Sequence, residues 1–288
     1  MIPFLKYKKI YFTLSGLLIL ASLISLILFG LKPGIDFTGG SILEIEYQEN
    51  QPSNEEIKEA LAGFDLGEIK IQPSGEKRII LRTKDISEEV HQQVINKLEG
   101  SQELRFEAIG PVIGREMKEK TKIVAILAIF AILLYITIAF RKISKPISSW
   151  KYGIASLVAL GHDVFIPLGV FAYLGHFYDV QITIPVITAL LTVLGYSINN
   201  TVVVFDRIRE NLITNKSAGF KEIVDKSLNQ TLTRSINTSL TTLLVLFAIF
   251  FLGGETLRYF SLALILGLVC GTFSSIFLAS PLLASKST

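Results

Sequence analysis

His162, Asp163 and Arg234 are ionisable residues set in or beside stretches that are otherwise almost wholly apolar. His162-Asp163 lies about twelve residues into the run Tyr152–Leu174, near mid-depth of a membrane at roughly 1.5 Å of helical rise per residue. An ionisable group at that depth is costly and usually marks a pathway or a partner. The chemistry a carboxylate suits there is the loading and unloading of a proton. In the next run Thr188, Thr192, Tyr196 and Asn199 follow at helical spacing as one stripe, with Asn200 beside it. Arg234 opens a further run that continues with Thr238, Thr241 and Thr242 on one face. These two runs enter from opposite directions, so Asn200 and Arg234 are expected at similar depth, and the polar stripes are expected to meet inside a helix bundle.

Plainer readings stand beside these. Stripes of Ser, Thr and Asn also serve as hydrogen bonds between helices, and an Arg near a helix end reaches back to the interface along its aliphatic stem. Asp163 would be structural if paired with His162, Arg234 or a neighbouring subunit. As neighbours on a helix, His162 and Asp163 point about 100° apart, which disfavours a catalytic pair. The sequence holds no phosphate-cradling glycine loop, no His/Cys metal cluster and no nucleophile–base pattern. Neither an enzyme nor a metal or other cofactor is expected. His91 has no metal-ligand partner at useful spacing and is expected to face solvent.

The elements that must position these groups follow from composition. Of 288 residues, 50% are hydrophobic and 18% charged, with a mean hydropathy of +0.51; soluble chains carry nearer a quarter charged residues. The apolar excess gathers into runs about the length that crosses a hydrocarbon core. Six are expected: Ile10–Phe29, Ile123–Phe140, Tyr152–Leu174, Ile182–Phe205, Ser235–Leu252 and Tyr259–Leu283. The first ends in Phe29-Gly30-Leu31-Lys32-Pro33, which favours an uncleaved anchor over a signal peptide. The resulting plan is a short tail over 1–9, a first span over 10–31, a domain over 32–118, a five-helix region over 119–283 with loops at 141–151 and 206–234, and a tail over 284–288. Lys6, Lys8 and Lys9 precede the first span, four basic residues lie in 141–151 and five in 206–226, against Arg258 alone in the two short opposite loops. By the positive-inside rule both termini are cytoplasmic and 32–118 is extracytoplasmic.

Residues 32–118 hold 11 Lys/Arg and 17 Asp/Glu, a net of 11 − 17 = −6, which leaves +9 for the remainder of a chain whose formal charge is +3. That split is not the footprint of a nucleic-acid binder. Cys270 is the only cysteine, so no intrachain disulfide or cysteine metal site forms. Within the domain, Ser41–Tyr47 alternates with Leu43, Ile45 and Tyr47 on one face. Ser53 and Glu56 suit a capping box ahead of a helix carrying Ile57, Ala60, Leu61 and Phe64. Strands are expected at Glu68–Gln72 and Arg78–Thr83 around the turn Pro73-Ser74-Gly75. A helix capped by Ser87 and a last strand over Leu104–Ile109 complete a β-α-β-β-α-β order, that of a ferredoxin-like fold. Gly267 and Gly271 read as a packing pair, Pro167 and Pro185 as kinks, and Phe220, Ile223, Val224 and Leu228 as a short helix at the cytoplasmic interface or a plain connector.

At this level the chain resembles the SecF family, the smaller subunits of the SecDF complex of bacterial protein export. The resemblance rests on Gly34-Ile35-Asp36-Phe37-Thr38-Gly39-Gly40, Gly110-Pro111-Val112-Ile113-Gly114 and Gly161-His162-Asp163-Val164. It continues through Gly195-Tyr196-Ser197-Ile198-Asn199-Asn200-Thr201 and on to Asp206-Arg207-Ile208-Arg209, then through Gln230 to Ser239 around Arg234. It implies an α-helical polytopic membrane protein with six transmembrane helices, an RND-type half, carrying the small α+β domain between the first and second helices. It implies a multi-pass place in the bacterial inner membrane, a SecD partner in a heterodimer, the SecYEG translocon, functional dependence on SecA, and translocating preproteins as cargo. The family pattern places an Asp on the fourth span and an Arg on the fifth in a proton path. The Arg falls on Arg234; the Asp position holds Asn200, an amide that hydrogen-bonds but carries no proton near neutral pH. Three accounts are open: the carboxylate is SecD's alone, Asp163 takes a share, or position 200 has been altered to hold one state. A small-molecule or lipid exporter and a non-energised translocon scaffold are the competing functions.

Overall fold

The computed structural model describes residues 1–48, 51–74, 77–139, 149–215 and 217–285. The expected loop at 141–151 therefore lies largely outside the described residues, as do Gly75 of the expected turn, Phe140 and the last three residues. The chain divides into two compact units, Pro33–Val124 and Met1–Lys32 with Ala125–Thr288.

The elements run α1 (Lys8–Phe29), α2 (Ile35–Thr38), β1 (Gly40–Tyr47), α3 (Asn54–Leu61), β2 (Lys70–Pro73), β3 (Arg78–Thr83), α4 (Glu88–Lys97) and β4 (Ser101–Ile109). Then come α5 (Pro111–Ala139), α6 (Ser149–Tyr178), α7 (Ile184–Thr214), α8 (Phe220–Leu252), α9 (Glu255–Ser274), a π-helical turn (Ser275–Ala279) and α10 (Ser280–Ser285). Among the described residues five stretches are long and apolar enough to cross a membrane: Phe4–Phe29, Trp150–Tyr178, Ile184–Thr214, Phe220–Leu252 and Leu257–Ser285. The sixth expected run falls in α5, whose described part stops at Ala139.

In the smaller unit the four strands are antiparallel in the order β2-β3-β1-β4. Alternation along β1 sends Leu43, Ile45 and Tyr47 into a core shared with Ile57, Leu61, Leu81 and Val94, as a period of two dictates for a sheet with one covered face. The capping box forms: the Ser53 hydroxyl accepts from the Glu56 backbone N–H, and the Glu56 carboxylate accepts from the Ser53 N–H at 2.7 Å. Two strands differ from expectation in extent, β2 beginning at Lys70 and β4 at Ser101. His91 departs further. It is 3% exposed, stacked on Phe106 with ring centroids 3.7 Å apart, with Glu88 3.1 Å from Nδ1 and Glu103 3.2 Å from Nε2. An apolar ring partner and two carboxylates draw it inward, a combination that metal-ligand spacing does not report.

The motif glycines have a steric explanation. Gly39 has φ +76°, and a Cβ there would lie 2.8 Å from Pro111 Cα; one at Gly114 would lie 2.7 Å from the Gly39 nitrogen. Backbone meets backbone where the chain enters β1 and where it leaves β4 for α5, a contact only glycine permits.

In the larger unit, Phe4, Tyr152, Phe205, Val224, Leu228 and Ile276 belong to one buried cluster. Most of the stretch 206–234 is helix. α7 runs on to Thr214 and α8 starts at Phe220. Ile223, Val224 and Leu228 form the first turns of α8 and are buried, because their apolar face packs on neighbouring helices instead of lying on an interface. The first residues dock there too: the Ile2 N–H donates to Asn229 at 2.8 Å and the Leu5 N–H to Asp225 at 3.0 Å. Pro185 sits in the first turn of α7, where its missing N–H costs nothing, so it does not kink the helix; Pro167 lies inside α6.

Candidate functional site

Asp163 is fully buried at the middle of α6 and is held from three helices. Its Oδ2 accepts from Ser197 Oγ of α7 at 2.5 Å and from Ser274 Oγ of α9 at 2.7 Å. Its Oδ1 lies 2.8 Å from His162 Nδ1 on its own helix. His162 and Asp163, expected to point apart, meet through their side chains. The angle between their Cα–Cβ directions is fixed by the helix, but side-chain torsions bring the imidazole back to the carboxylate. His162 is 1% exposed, packs on Phe273 of α9 with near-parallel rings, and its Nε2 has no hydrogen-bond partner. Among the described residues no Lys or Arg pairs with Asp163, so neutral donors and one imidazole supply its polar contacts.

Small residues make this meeting possible. A Cβ on Gly267 would overlap the Val193 side chain, and one on Gly271 would lie 3.0 Å from Ser197 Cβ. The two glycines let α9 close on α7 and bring Ser274, one turn beyond Gly271, to the same carboxylate oxygen as Ser197. The π-helical turn then follows, with Ser280 Oγ donating to the Ser275 carbonyl at 2.9 Å. Such turns change the facing of a helix and recur at functional sites. Ser239 of α8 joins the assembly through Thr272 at 2.6 Å.

The other expected residues do not all meet Asp163. Thr188, Thr192 and Asn199 lie on an exposed face of α7, and Arg234, Thr238 and Thr241 on an exposed face of α8. The expected meeting of three stripes inside one bundle does not occur within this chain. Nor do the threonines bridge helices: Thr188, Thr192 and Thr238 donate to carbonyls four residues back, at 2.9, 2.8 and 2.9 Å. Asn200 is buried beside them at 4% exposure, its amide nitrogen without a partner, and it makes no hydrogen bond to Arg234. Arg234 lies about four turns into α8, further from a helix end than the sequence suggests. Tyr196 packs beside Leu246, Ile265 and Leu268. Gly195 opens onto free space. Asp206 and Arg209 lie 3.6 Å apart, and Arg207 pairs with Glu210 at 2.5 Å. In the smaller unit Asp36 stands in the first turn of α2, and Thr38 Oγ1 donates to the Gly34 carbonyl at 3.1 Å. Ser197 and Ser274, the two closest hydroxyl donors to Asp163, were not singled out from sequence; only the Gly267–Gly271 pair hinted at where α9 approaches.

Known proteins match this arrangement. The model for the protein export membrane protein SecD/SecF, C-terminal region, matches residues 89–288, and that for the SecD/SecF GG motif matches residues 24–51. A protein translocase subunit SecF of Thermobaculum terrenum is 40% identical over 99% of this chain and 94% of its own length. One from Rhodothermus marinus is 39% identical over 97% of this chain and 91% of its own. The crystal structure of SecDF, a translocon-associated membrane protein from Thermus thermophilus, is 34% identical and superposes with a TM-score of 0.83 over 98% of this chain. The chain spans 38% of that longer polypeptide.

Proposed function

The chain belongs to the SecD/SecF family of protein-export membrane proteins, and on that premise we propose that, paired with SecD, it uses the proton motive force to promote late-stage translocation and release of preproteins. The observation that carries this reading is Asp163, a carboxylate with no exposure, clasped from α6, α7 and α9 by groups that are neutral or ionise reversibly. Such a group changes its hydrogen bonds when it takes up or releases a proton, and the change acts on three helices together. A two-state claim of this kind needs the two protonation states to favour different packings; a shared clasp meets that condition, because a protonated oxygen no longer accepts from every donor.

In this reading the chain is a coupling subunit and not an enzyme. It takes α5 as a sixth span and the β2-β3-β1-β4 sheet with α3 and α4 as ferredoxin-like. The chain lies in the bacterial inner membrane with both termini cytoplasmic and the small domain outside. SecD covers the exposed polar face of α7 and α8 and supplies a carboxylate near Arg234, and Asn200 positions that pair without carrying the proton. SecYEG delivers the preprotein after SecA has driven it in.

The test is release of a translocating preprotein from vesicles holding this chain, its SecD and SecYEG, with and without a proton gradient. Release should fall when the gradient is collapsed, and Arg234→Met should remove the gradient dependence while the chain still assembles. Release indifferent to the gradient, or gradient-driven release by the Met variant, overturns the reading. Indifference would instead favour the scaffold function, which the amide at position 200 makes the second reading.

A further inference from the structure

The edge of a β-sheet carries a row of main-chain N–H and C=O groups with no neighbouring strand, and proteins blunt such edges with short strands, proline or cover. In the smaller unit the order β2-β3-β1-β4 leaves β2 and β4 at the edges. β2 is blunted: it has 4 residues and ends on Pro73, which has no N–H to offer. β4 has 9 residues. Which of its groups face outward follows from two bonds of β1. The Tyr47 N–H donates to the Lys77 carbonyl, on the β3 side, at 2.9 Å, and the Gln48 N–H donates to the Gly100 carbonyl, on the β4 side, at 3.2 Å. Successive residues of a strand turn their main-chain groups to opposite sides, so the even-numbered residues of β1 bond β4. Their partners Gly40↔Ile109, Ile42↔Glu107 and Glu44↔Arg105 are therefore the bonded pairs. Phe106 and Ala108, between them, turn N–H and C=O away from the sheet. Among the described residues no other main chain takes these groups. A register shift makes Leu104 an extra residue of β4, so the regular open edge runs from Arg105 to Ile109.

The side chains along this edge ask little of a strand laid beside it. Phe106 packs against the core under the helices, and Ala108, on the same face by the period of two, is exposed. On the opposite face Arg105 Nε donates to Glu107 Oε1 at 2.8 Å, so those two charges already answer each other. A neighbouring strand would meet one apolar row and one self-neutralised row, and its directional contacts would all be made by its main chain.

We propose that the β4 edge from Arg105 to Ile109 holds an extended polypeptide by strand addition, reading its main chain and not its side chains. Main-chain donors and acceptors are the one feature that all unfolded chains share, so the complementary occupant of this edge is an unfolded segment of any sequence. That the segment is an emerging preprotein rests on the function proposed above. The bulge at Leu104 keeps the paired stretch short, which suits a hold that has to be released.

Peptide binding to the purified heterodimer of the full chain with SecD tests it, with no gradient and no translocon present. The probes are a fluorescent peptide of alternating Thr and Gln, a second of alternating Ser and Val, and the first with every amide N-methylated. The two unmodified peptides should bind within about threefold of each other, because side chains contribute little. The methylated peptide should bind at least about tenfold more weakly, having lost its donors. Ala108→Pro removes one outward N–H, is permitted at a sheet edge and leaves the bonds to β1; it should weaken binding at least about fivefold. Ala108→Ser changes the side chain, keeps the N–H and should bind as the parent does. Limited proteolysis checks that the Pro variant is folded, and if it is not, the methylated peptide still decides. Absence of binding by the parent, equal binding of the methylated peptide, or unchanged binding by a folded Pro variant each overturns the proposal. So does a disulfide or maleimide cross-link from Ala108→Cys to SecD formed without peptide, which would assign the edge to the partner subunit. Because the assay uses no gradient, its failure leaves the proton-coupling reading standing, and release indifferent to the gradient leaves the edge standing.

Discussion

Ser274→Ala is the sharpest probe of the clasp. It removes the donor 2.7 Å from Asp163 Oδ2 and little volume, and it leaves Ser197 at 2.5 Å and His162 at 2.8 Å in place. A hydrogen bond to a charged group contributes about 1.5–3 kcal/mol. The hydroxyl also leans toward the Gly271 carbonyl at 3.3 Å, which puts the expected loss near the lower end, about 1.5 kcal/mol. Asp163→Asn keeps the shape and an acceptor oxygen but removes the charge. Against that background the serine makes only a neutral hydrogen bond, and its loss should cost about 0.5 kcal/mol. The double-mutant cycle should therefore show a coupling of about 1 kcal/mol, with the serine mattering more when the carboxylate is present. Reversible unfolding in mixed micelles, driven by dodecyl sulfate and followed by circular dichroism, measures all four species. Single losses that add to within about 0.3 kcal/mol would mean that Ser274 does not sense the charge, and the three-helix clasp would lose its basis.

Gly39→Ala should destabilise the smaller unit by at least about 2 kcal/mol, since a left-handed φ and a backbone overlap are both imposed on the new Cβ; limited proteolysis of the full chain reads this, with Gly63→Ala, which meets nothing within 4 Å, as the silent control. Glu56→Gln tests the capping box by pH. The Ser53 backbone N–H first, and its hydroxyl second, hold the Glu56 carboxyl below the ordinary carboxylate range. A group lowered in the folded state stabilises above its unfolded value, and the gain is lost as pH falls through the folded value. The parent should therefore unfold at higher temperature than the Gln variant at neutral pH, and the gap should close in acid; a gap constant with pH contradicts the assignment.

Local rules make much of the chain legible in its sequence. The period of two in β1 and the Ser53–Glu56 spacing each depend on a few adjacent residues, and both formed as read. Apolar run length locates the long helices but not their ends, because the polar extensions Asp206–Thr214 of α7 and Phe220–Arg234 of α8 are held by polar contacts with each other, Asn211 Nδ2 donating to Ser227 Oγ and to Gln230 Oε1 at 2.8 Å each, and not by hydropathy. The stripes marked which residues share a helix face, yet a helical period is blind to whether that face turns inward or outward. That is why Thr188, Thr192 and Asn199 were expected inside. Ser197 and Ser274 went unnoticed for a related reason: a lone serine carries no weight until another helix brings an acceptor to it.

α7 is polar on two faces, and the two faces have different requirements. On the inner face Ser197 is satisfied by Asp163 within this chain. On the outer face Thr188 and Thr192 are satisfied by their own helix and are cheap even against lipid. Asn199 and, on α8, the Arg234 guanidinium have no side-chain hydrogen bond among the described residues. A primary amide left in hydrocarbon costs several kcal/mol by transfer to an alkane, roughly 4–8 kcal/mol for a group with nothing to bond. The threonines therefore need nothing from a partner subunit, whereas in the proposed heterodimer Asn199 and Arg234 gain most from one. In the proposed heterodimer the contact with SecD must be centred on those two residues. A docking that covered the threonine rows and left them in lipid would forfeit the interactions that make association worthwhile.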